Sequence, residues 1–133
     1  MAITVTRNHQ HPMGHTVRMG THEIMVDSSV SEGGSDAGPS PHDLYDAALG
    51  ACKALTVLWY AQRRKIAVHD IAVQVERDSS QERQGLYRLK TILKVSGDIS
   101  DAQRQELLTV AGKCPIHKLM TSVRTEVDTV LAD

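Results

Sequence analysis

Residues 38–65, GPSPHDLYDAALGACKALTVLWYAQRRK, contain the start and stop signals of one long helix and decide the fold. Ser40 suits the N-cap and Pro41 suits the first helical position. Asp43 falls three residues after the cap, where an acidic side chain completes a capping pattern. The arginines near the other end complement the negative end of the helix dipole. The sequence therefore predicts a helix from Pro41 to Arg64.

The interior of this helix is apolar on almost every face. Asp46 and Lys53 are the only charged residues between positions 44 and 61. A helix that is apolar all round is a buried one. Cys52 lies four residues after Ala48 and eight after Leu44, so it shares a face with both, and we expect that face to point inward.

The rest of the chain predicts short strands and two further helices. Alternating apolar and polar residues predict strands at 2–7, 15–20, 22–28, 69–78, 86–97 and 123–131. Ser100 and Gln103 form a capping box that opens a helix over 101–112, and Pro115 opens another. Because the strands cluster instead of alternating with single helices, we expect an α+β fold. Its sheet is mainly antiparallel, with the helices packed on one face.

Length and composition limit the class of protein. The chain has 133 residues, which suits a single domain over 1–133. A net charge of −1 supplies no basic excess for nucleic acid. No apolar run reaches the roughly 18 residues of a membrane span, and the first residues lack the apolar segment of a signal peptide. We therefore expect a cytoplasmic protein that binds neither nucleic acid nor membrane.

The two cysteines are Cys52, in AALGACKAL, and Cys114, in VAGKCPIHK. Permanent disulfides are rare in cytoplasmic chains, so the pair is either two inert core residues or a working redox pair. Cys114 precedes Pro115 and is the predicted N-cap of a helix. There the free backbone N–H groups and the positive end of the dipole favour a thiolate. For Cys52, a small core residue is the alternative to a reactive thiol.

Two separated segments resemble the OsmC/Ohr family, whose names stand for osmotically inducible protein C and organic hydroperoxide resistance. They are residues 38–65, with GPSP and AALGAC, and residues 111–122, AGKCPIHKLMTS. The order of strands and helices agrees along essentially the whole chain. The resemblance implies an intertwined homodimer with long central helices packed between sheets. A dimer core would cover the apolar helix, which a single chain of this length has few places to hide.

The chemistry implied by the resemblance is thiol-dependent reduction of hydroperoxides. Cys52 would attack the peroxide and become a sulfenic acid. Cys114 would then condense with it to a disulfide, which a dithiol reductant, often dihydrolipoyl in relatives, reopens. The implied partners are a small-molecule hydroperoxide, that reductant and a second copy of the chain. We expect no cofactor and no metal ion.

The groups that would activate the thiol differ from those of the better-characterised hydroperoxidase branch. That branch has a Glu ten residues before the first cysteine, paired with an Arg. Here the position holds His42, with Asp43 beside it. Arg18 is our candidate for the activating cation and Arg7 is the alternative, since both lie on predicted strands. The competing interpretation of Arg18 is a solvated strand residue.

Three other interpretations remain. His9, His11 and His15 cluster, but without a Cys or carboxylate set at ligand spacing, so we expect a polar turn there. His117 after Cys114 suggests the nucleophile pair of a thiol hydrolase, although no orienting residue or oxyanion motif accompanies it. The third is a non-catalytic dimer that binds a small apolar ligand between helices. Thiol alkylation would abolish a peroxidase but leave such binding largely intact.

Overall fold

This computed structural model describes residues 1–132, which contain five strands and three α-helices. The strands are β1 (Ile3–Arg7), β2 (His15–Met19), β3 (His22–Val26), β4 (Ala67–Asp78) and β5 (Arg88–Asp98). The helices are α1 (Pro41–Arg64), α2 (Asp101–Ala111) and α3 (Pro115–Thr121). Short 3₁₀ turns lie at Val30–Glu32 and Glu82–Gln84. Antiparallel sheets combined with helices confirm the α+β prediction.

The chain forms two compact units, Met1–Asp46 and Ala47–Asp133, whose boundary falls inside α1. In the first unit β1, β2 and β3 form an antiparallel sheet in that order. The second unit contains most of α1, the antiparallel β4–β5 hairpin, α2 and α3. A single domain over 1–133 stays a prediction. No helix within residues 1–132 combines the length and the apolar character needed to cross a membrane.

Local signals set the start of α1 as predicted. The Asp43 N–H donates to Ser40 Oγ at 3.1 Å, and the Ser40 N–H donates to the Asp43 carboxylate at 3.0 Å. This reciprocal pair satisfies two backbone donors that would otherwise lack a helical partner. The helix begins at Pro41 and ends at Arg64, as the sequence predicted.

The predicted final strand at 123–131 is wrong. Residues 123–132 form neither strand nor helix, and Val127 and Val130 are 82% and 80% exposed. Alternation of apolar residues describes where a strand would place its side chains, but a strand forms only when a neighbour pairs with its backbone. Within residues 1–132, no strand pairs with this segment.

The core of the second unit joins α1 to α2 and to the hairpin. Its fully or nearly fully buried residues are Val57, Ala61, Ile66, Leu107 and Ala111. Gly50 lets α1 approach β4 closely, because a Cβ at this position would lie 2.9 Å from Val75 Cγ2. The Tyr60 hydroxyl donates to the Glu106 carboxylate of α2, and this bond raises the pKa of Tyr60.

The inward stripe of α1 does not pass through Cys52. It passes through Leu49, Lys53, Val57 and Ala61. Cys52 is half-buried, Ala48 is exposed, and Leu55 and Trp59 are 68% and 57% exposed. The expectation that the face of Cys52, Ala48 and Leu44 points inward is therefore wrong for this chain. With apolar residues on almost every face, packing against the hairpin and α2 selects the buried stripe, and periodicity does not.

Asp27 is a buried carboxylate that organises the loop before α1. It is 3% exposed and accepts three backbone N–H groups, from Ser28 at 2.8 Å and from Ser35 and Ala37 at 3.1 Å each. These bonds, that of Ala37 foremost, hold the pKa of Asp27 below its ordinary value of 3.8, although desolvation opposes them. The loop conformation therefore depends on the ionised carboxylate.

We expect Asp27→Asn to lower the free energy of unfolding at pH 7, because an amide group cannot accept all three N–H groups. A carboxyl group whose pKa is lowered by folding stabilises the protein at pH values above the pKa that it has in the unfolded chain. This contribution is lost as the pH falls through the pKa that the group has in the folded protein. The difference in the free energy of unfolding between wild type and variant should therefore have its full size at neutral pH and should shrink below pH 3.8. Urea unfolding followed by circular dichroism at several pH values measures it.

Asp36→Asn is the matched control, because Asp36 is exposed in the same loop. We expect its urea midpoint to follow that of the wild type at every pH. A difference between wild type and Asp27→Asn that does not change with pH would contradict the role of the ionised carboxylate.

Candidate functional site

Cys114 is the N-cap of α3, as the sequence predicted, and its side chain is fully buried. Its Sγ accepts the backbone N–H of His117 at 3.4 Å. The sulfur thus takes the place of the side-chain oxygen in the usual N-cap residues. The capping bond fixes the direction of the thiol at the start of the helix.

Cys52 lies on α1 and is half-buried, so solvent reaches it while Cys114 is shielded. Its Sγ lies 4.0 Å from Thr56 Oγ1, one turn further along the helix. Both cysteines are free thiols in this structure. The two thiols therefore differ in the access that a small molecule in solution would have to them.

Lys53 links the two elements that contain the cysteines. The side chain is buried, with 4% exposure, and its Nζ donates to the Ala111 carbonyl at 2.8 Å. The same Nζ lies 3.0 Å from His117 Nδ1. Lys53 directly follows Cys52, and His117 is three residues after Cys114. Lys53 and His117, each close in sequence to one cysteine, are thus in contact, although 64 positions separate these two residues in the sequence.

Sequence reasoning missed this contact. In the sequence, Lys53 is one of two charges in an apolar helix and His117 is a neighbour of Cys114. The available signal was the burial predicted for the helix itself. An ammonium group inside a buried helix must find acceptors, and these have to come from a distant part of the chain.

A small cavity of about 150 Å³ lies beside this contact. Its lining comes from α1, β4, β5, α2, α3 and the connection between α2 and α3. The lining residues are Lys53, Val73, Thr91, Leu93, Leu108, Ala111, Gly112 and His117. Given about 30 Å³ for each water in the liquid, the volume is that of about five waters. The cavity is therefore too small for a drug-sized ligand, whose pockets begin at about 300 Å³.

Arg18 lies opposite Glu23 in the pairing of β2 with β3. Its Nη2 is 2.7 Å from Glu23 Oε2, and the two side chains are 66% and 52% exposed. Arg7 donates to the Pro12 carbonyl at 3.4 Å. Both arginines belong to the first unit, whereas the cysteines belong to the second. The catalytic assignment of Arg18 stays a prediction.

His9 and His11 lie in the turn between β1 and β2, and His15 is the first residue of β2. The Asn8 N–H donates to the Gly14 carbonyl at 2.8 Å, and His15 Nδ1 lies 2.9 Å from the Met13 carbonyl. In the part of the chain that the structure describes, no three His, Cys, Asp or Glu side chains form a group that could hold a metal ion.

A family model described as OsmC-like protein matches residues 33–129. The match covers well over half of the chain and includes both Cys52 and Cys114. The chain belongs to the OsmC-like protein family. No curated protein matches it. Family membership confirms the resemblance that residues 38–65 and 111–122 indicated.

Solved structures share the OsmC-like fold. An OsmC like protein from Mycoplasma pneumoniae has a TM-score of 0.73 and 20% identity, with 92% of this chain and 87% of that chain covered. An organic hydroperoxide resistance protein OsmC from Legionella pneumophila has a TM-score of 0.63 and 16% identity, covering 92% and 90%. The organic hydroperoxide resistance protein OhrB of Bacillus subtilis has a TM-score of 0.59 and 22% identity, covering 92% of each chain. At these identities the likeness shows the fold.

Proposed function

We propose that this OsmC-like protein is a cysteine-dependent hydroperoxide reductase that acts in defence against oxidative stress. The observation that carries the proposal is the contact between Lys53, which follows the half-buried Cys52, and His117, which lies three residues after the buried Cys114. The names of the Bacillus subtilis and Legionella pneumophila proteins, which refer to organic hydroperoxide resistance, support the same chemistry.

In the proposed first step the Cys52 thiolate attacks the distal oxygen of the hydroperoxide. The S–O bond forms as the O–O bond breaks, and the alkoxide takes a proton from solvent and leaves as an alcohol. Cys52 is suited to this step because it is the more accessible thiol. The product is Cys52 sulfenic acid.

In the second step the Cys114 sulfur attacks the sulfenic sulfur. The S–S bond forms, and the hydroxyl group of the sulfenic acid leaves as water with the thiol proton. A dithiol reductant then returns two electrons and two protons by thiol–disulfide exchange. Because the cycle depends on a thiol reductant, we propose the cytoplasm as its compartment.

Arg18 is the proposed activating cation. Its partner Glu23 supplies a carboxylate. In the hydroperoxidase branch that the sequence resembles, the corresponding carboxylate belongs to a Glu at the position that His42 occupies here. A guanidinium held by a carboxylate presents its remaining N–H donors in a fixed direction, which suits a peroxide oxygen.

Peroxide consumption tests the proposed activity. We expect the purified protein to consume cumene hydroperoxide with dihydrolipoamide as reductant, and we expect prior alkylation with iodoacetamide to abolish this. Consumption that persists after complete alkylation of Cys52 would overturn the proposal. Failure of the untreated protein to consume either cumene hydroperoxide or hydrogen peroxide would favour a binding protein or a thiol hydrolase.

We also propose a homodimer and expect it at micromolar concentration in sedimentation velocity. Leu55 and Trp59 form an exposed apolar stripe on α1, on the side of the half-buried Cys52. Monomeric proteins rarely leave such apolar side chains of a long helix in water. Leu55→Glu should therefore shift the protein towards the monomer.

Gln105→Glu is the control for the dimer prediction, because it places the same charge on an exposed polar position of α2, outside the stripe of Leu55 and Trp59. We expect this variant to sediment as the wild type does. A wild-type protein that sediments as a folded monomer would refute the prediction.

A further inference from the structure

We propose that Lys53 and His117 are positioning residues that set the approach of Cys114 to Cys52. The inference rests on the proposed function for its catalytic meaning, since it concerns the step that joins the two thiols. Its structural basis is independent of peroxide chemistry. Lys53 and His117 flank the two cysteines and are in direct contact, with Nζ and Nδ1 separated by 3.0 Å.

The Lys53 ammonium is an expensive group to bury, so its two acceptors determine where it lies. Removing an ammonium from water costs free energy unless hydrogen bonds replace its hydration. One replacement is the Ala111 carbonyl, at 2.8 Å, which belongs to the last residue of α2. Carbonyls at the end of a helix lack a helical partner, and cationic side chains satisfy them well. Lys53 thus holds the end of α2 against α1.

His117 transmits this constraint to Cys114. While Lys53 donates to Nδ1, that nitrogen must be an acceptor, so the ring proton lies on Nε2. The backbone N–H of the same residue donates to Cys114 Sγ at 3.4 Å. His117 therefore accepts a hydrogen bond from α1 through its ring and donates its backbone N–H to the Cys114 thiol at the start of α3. The connection between α2 and α3, residues 112–114, is held from both ends.

The arrangement predicts an effect on one step of the cycle. Without the contact, the start of α3 loses this hydrogen bond to α1, while Cys52 keeps its own environment, which includes Thr56. The attack of peroxide on Cys52 should then continue at its normal rate. Closure of the disulfide should slow, because a displacement of about 1 Å in a reacting group can cost about a hundredfold in rate.

The test uses Lys53→Met, which removes the ammonium and keeps the apolar stem, and a pair of His117 variants. His117→Leu removes the acceptor, whereas His117→Asn places an amide oxygen near the position of Nδ1. Lys118→Met removes an exposed charge from α3 and is the control. The first measurement is the equilibrium between the protein dithiol and oxidised glutathione, which yields the protein disulfide and two reduced glutathiones. The second is quenched-flow trapping of Cys52 sulfenic acid with dimedone after mixing with cumene hydroperoxide.

We expect the equilibrium constant with glutathione to fall at least about tenfold in Lys53→Met and in His117→Leu. Such a fall would mean that the effective concentration of the Cys114 thiol near Cys52 is lower. His117→Asn and Lys118→Met should stay within about threefold of the wild type, because both keep the Lys53 contact. Sulfenic acid should form at the wild-type rate in Lys53→Met, and it should persist longer. The double variant Lys53→Met with His117→Leu should be no worse than either single variant, since both remove the same contact.

The outcomes separate this inference from the proposed function. A wild type that closes the disulfide with glutathione but consumes no peroxide would refute the reductase and leave the positioning role intact. A Lys53→Met variant with the wild-type equilibrium constant, in a protein that does consume peroxide, would overturn the positioning role alone. A wild type that forms no Cys52–Cys114 disulfide under either oxidant would also overturn it. If Lys53→Met does not fold, the comparison of His117→Leu with His117→Asn decides by the same criteria.

Discussion

Cys52→Ser is expected to abolish hydroperoxide turnover, with a loss of at least about a thousandfold in rate, because a neutral hydroxyl is a poor nucleophile towards an O–O bond. Cys114 cannot replace Cys52, since its side chain is fully buried and caps α3. The measurement is consumption of cumene hydroperoxide by the purified variant with dihydrolipoamide as the reductant. The fold should survive, because Cys52 is only half-buried and the inward stripe of α1 lies on its other side.

Ala47→Ser is the control for this experiment, because it adds the same hydroxyl group at an exposed position of α1 and leaves both thiols in place. We expect it to turn over peroxide as the wild type does. If Cys52→Ser kept more than about a tenth of the wild-type rate, the attack would have to come from another group, and the assignment of Cys52 would be wrong.

Cys114→Ser is expected to stop the cycle after one equivalent of peroxide. The second thiol is needed to close the disulfide and not to attack the peroxide, so this variant should still oxidise Cys52 once. Mass spectrometry after one equivalent of cumene hydroperoxide should show a gain of one oxygen, and dimedone should label the product as a sulfenic acid. The wild type should show the loss of two hydrogens, and a dithiol should reverse it.

The serine in Cys114→Ser also preserves the local structure, because a hydroxyl is a better N-cap than a thiol. A change in the chemistry would therefore report the missing sulfur and not a damaged α3. A wild type that showed neither a disulfide nor a sulfenic acid after treatment would make both cysteines structural. The binding-protein alternative would then be preferred.

Local chemistry in the sequence determined the start of α1 and the position of Cys114. Ser40, Pro41 and Asp43 act within one helical turn, so their effect depends on neighbours that the sequence itself specifies. The same holds for Cys114 and Pro115, where the capping bond runs to a residue three positions later. The family followed from two segments whose residues are contiguous, and the chemistry that they imply was therefore accessible before the structure.

Only the tertiary structure decided which stripe of α1 is buried and what the segment 123–132 becomes. A helix that is apolar on nearly every face has no periodicity that selects an inward side, so Lys53 and not Cys52 came to lie on the buried stripe. The contact of Lys53 with His117 spans 64 positions and depends on how α1 meets the junction of α2 and α3. The strand predicted at 123–131 failed for a related reason, because alternation specifies side-chain directions but cannot supply the neighbouring backbone that a strand requires.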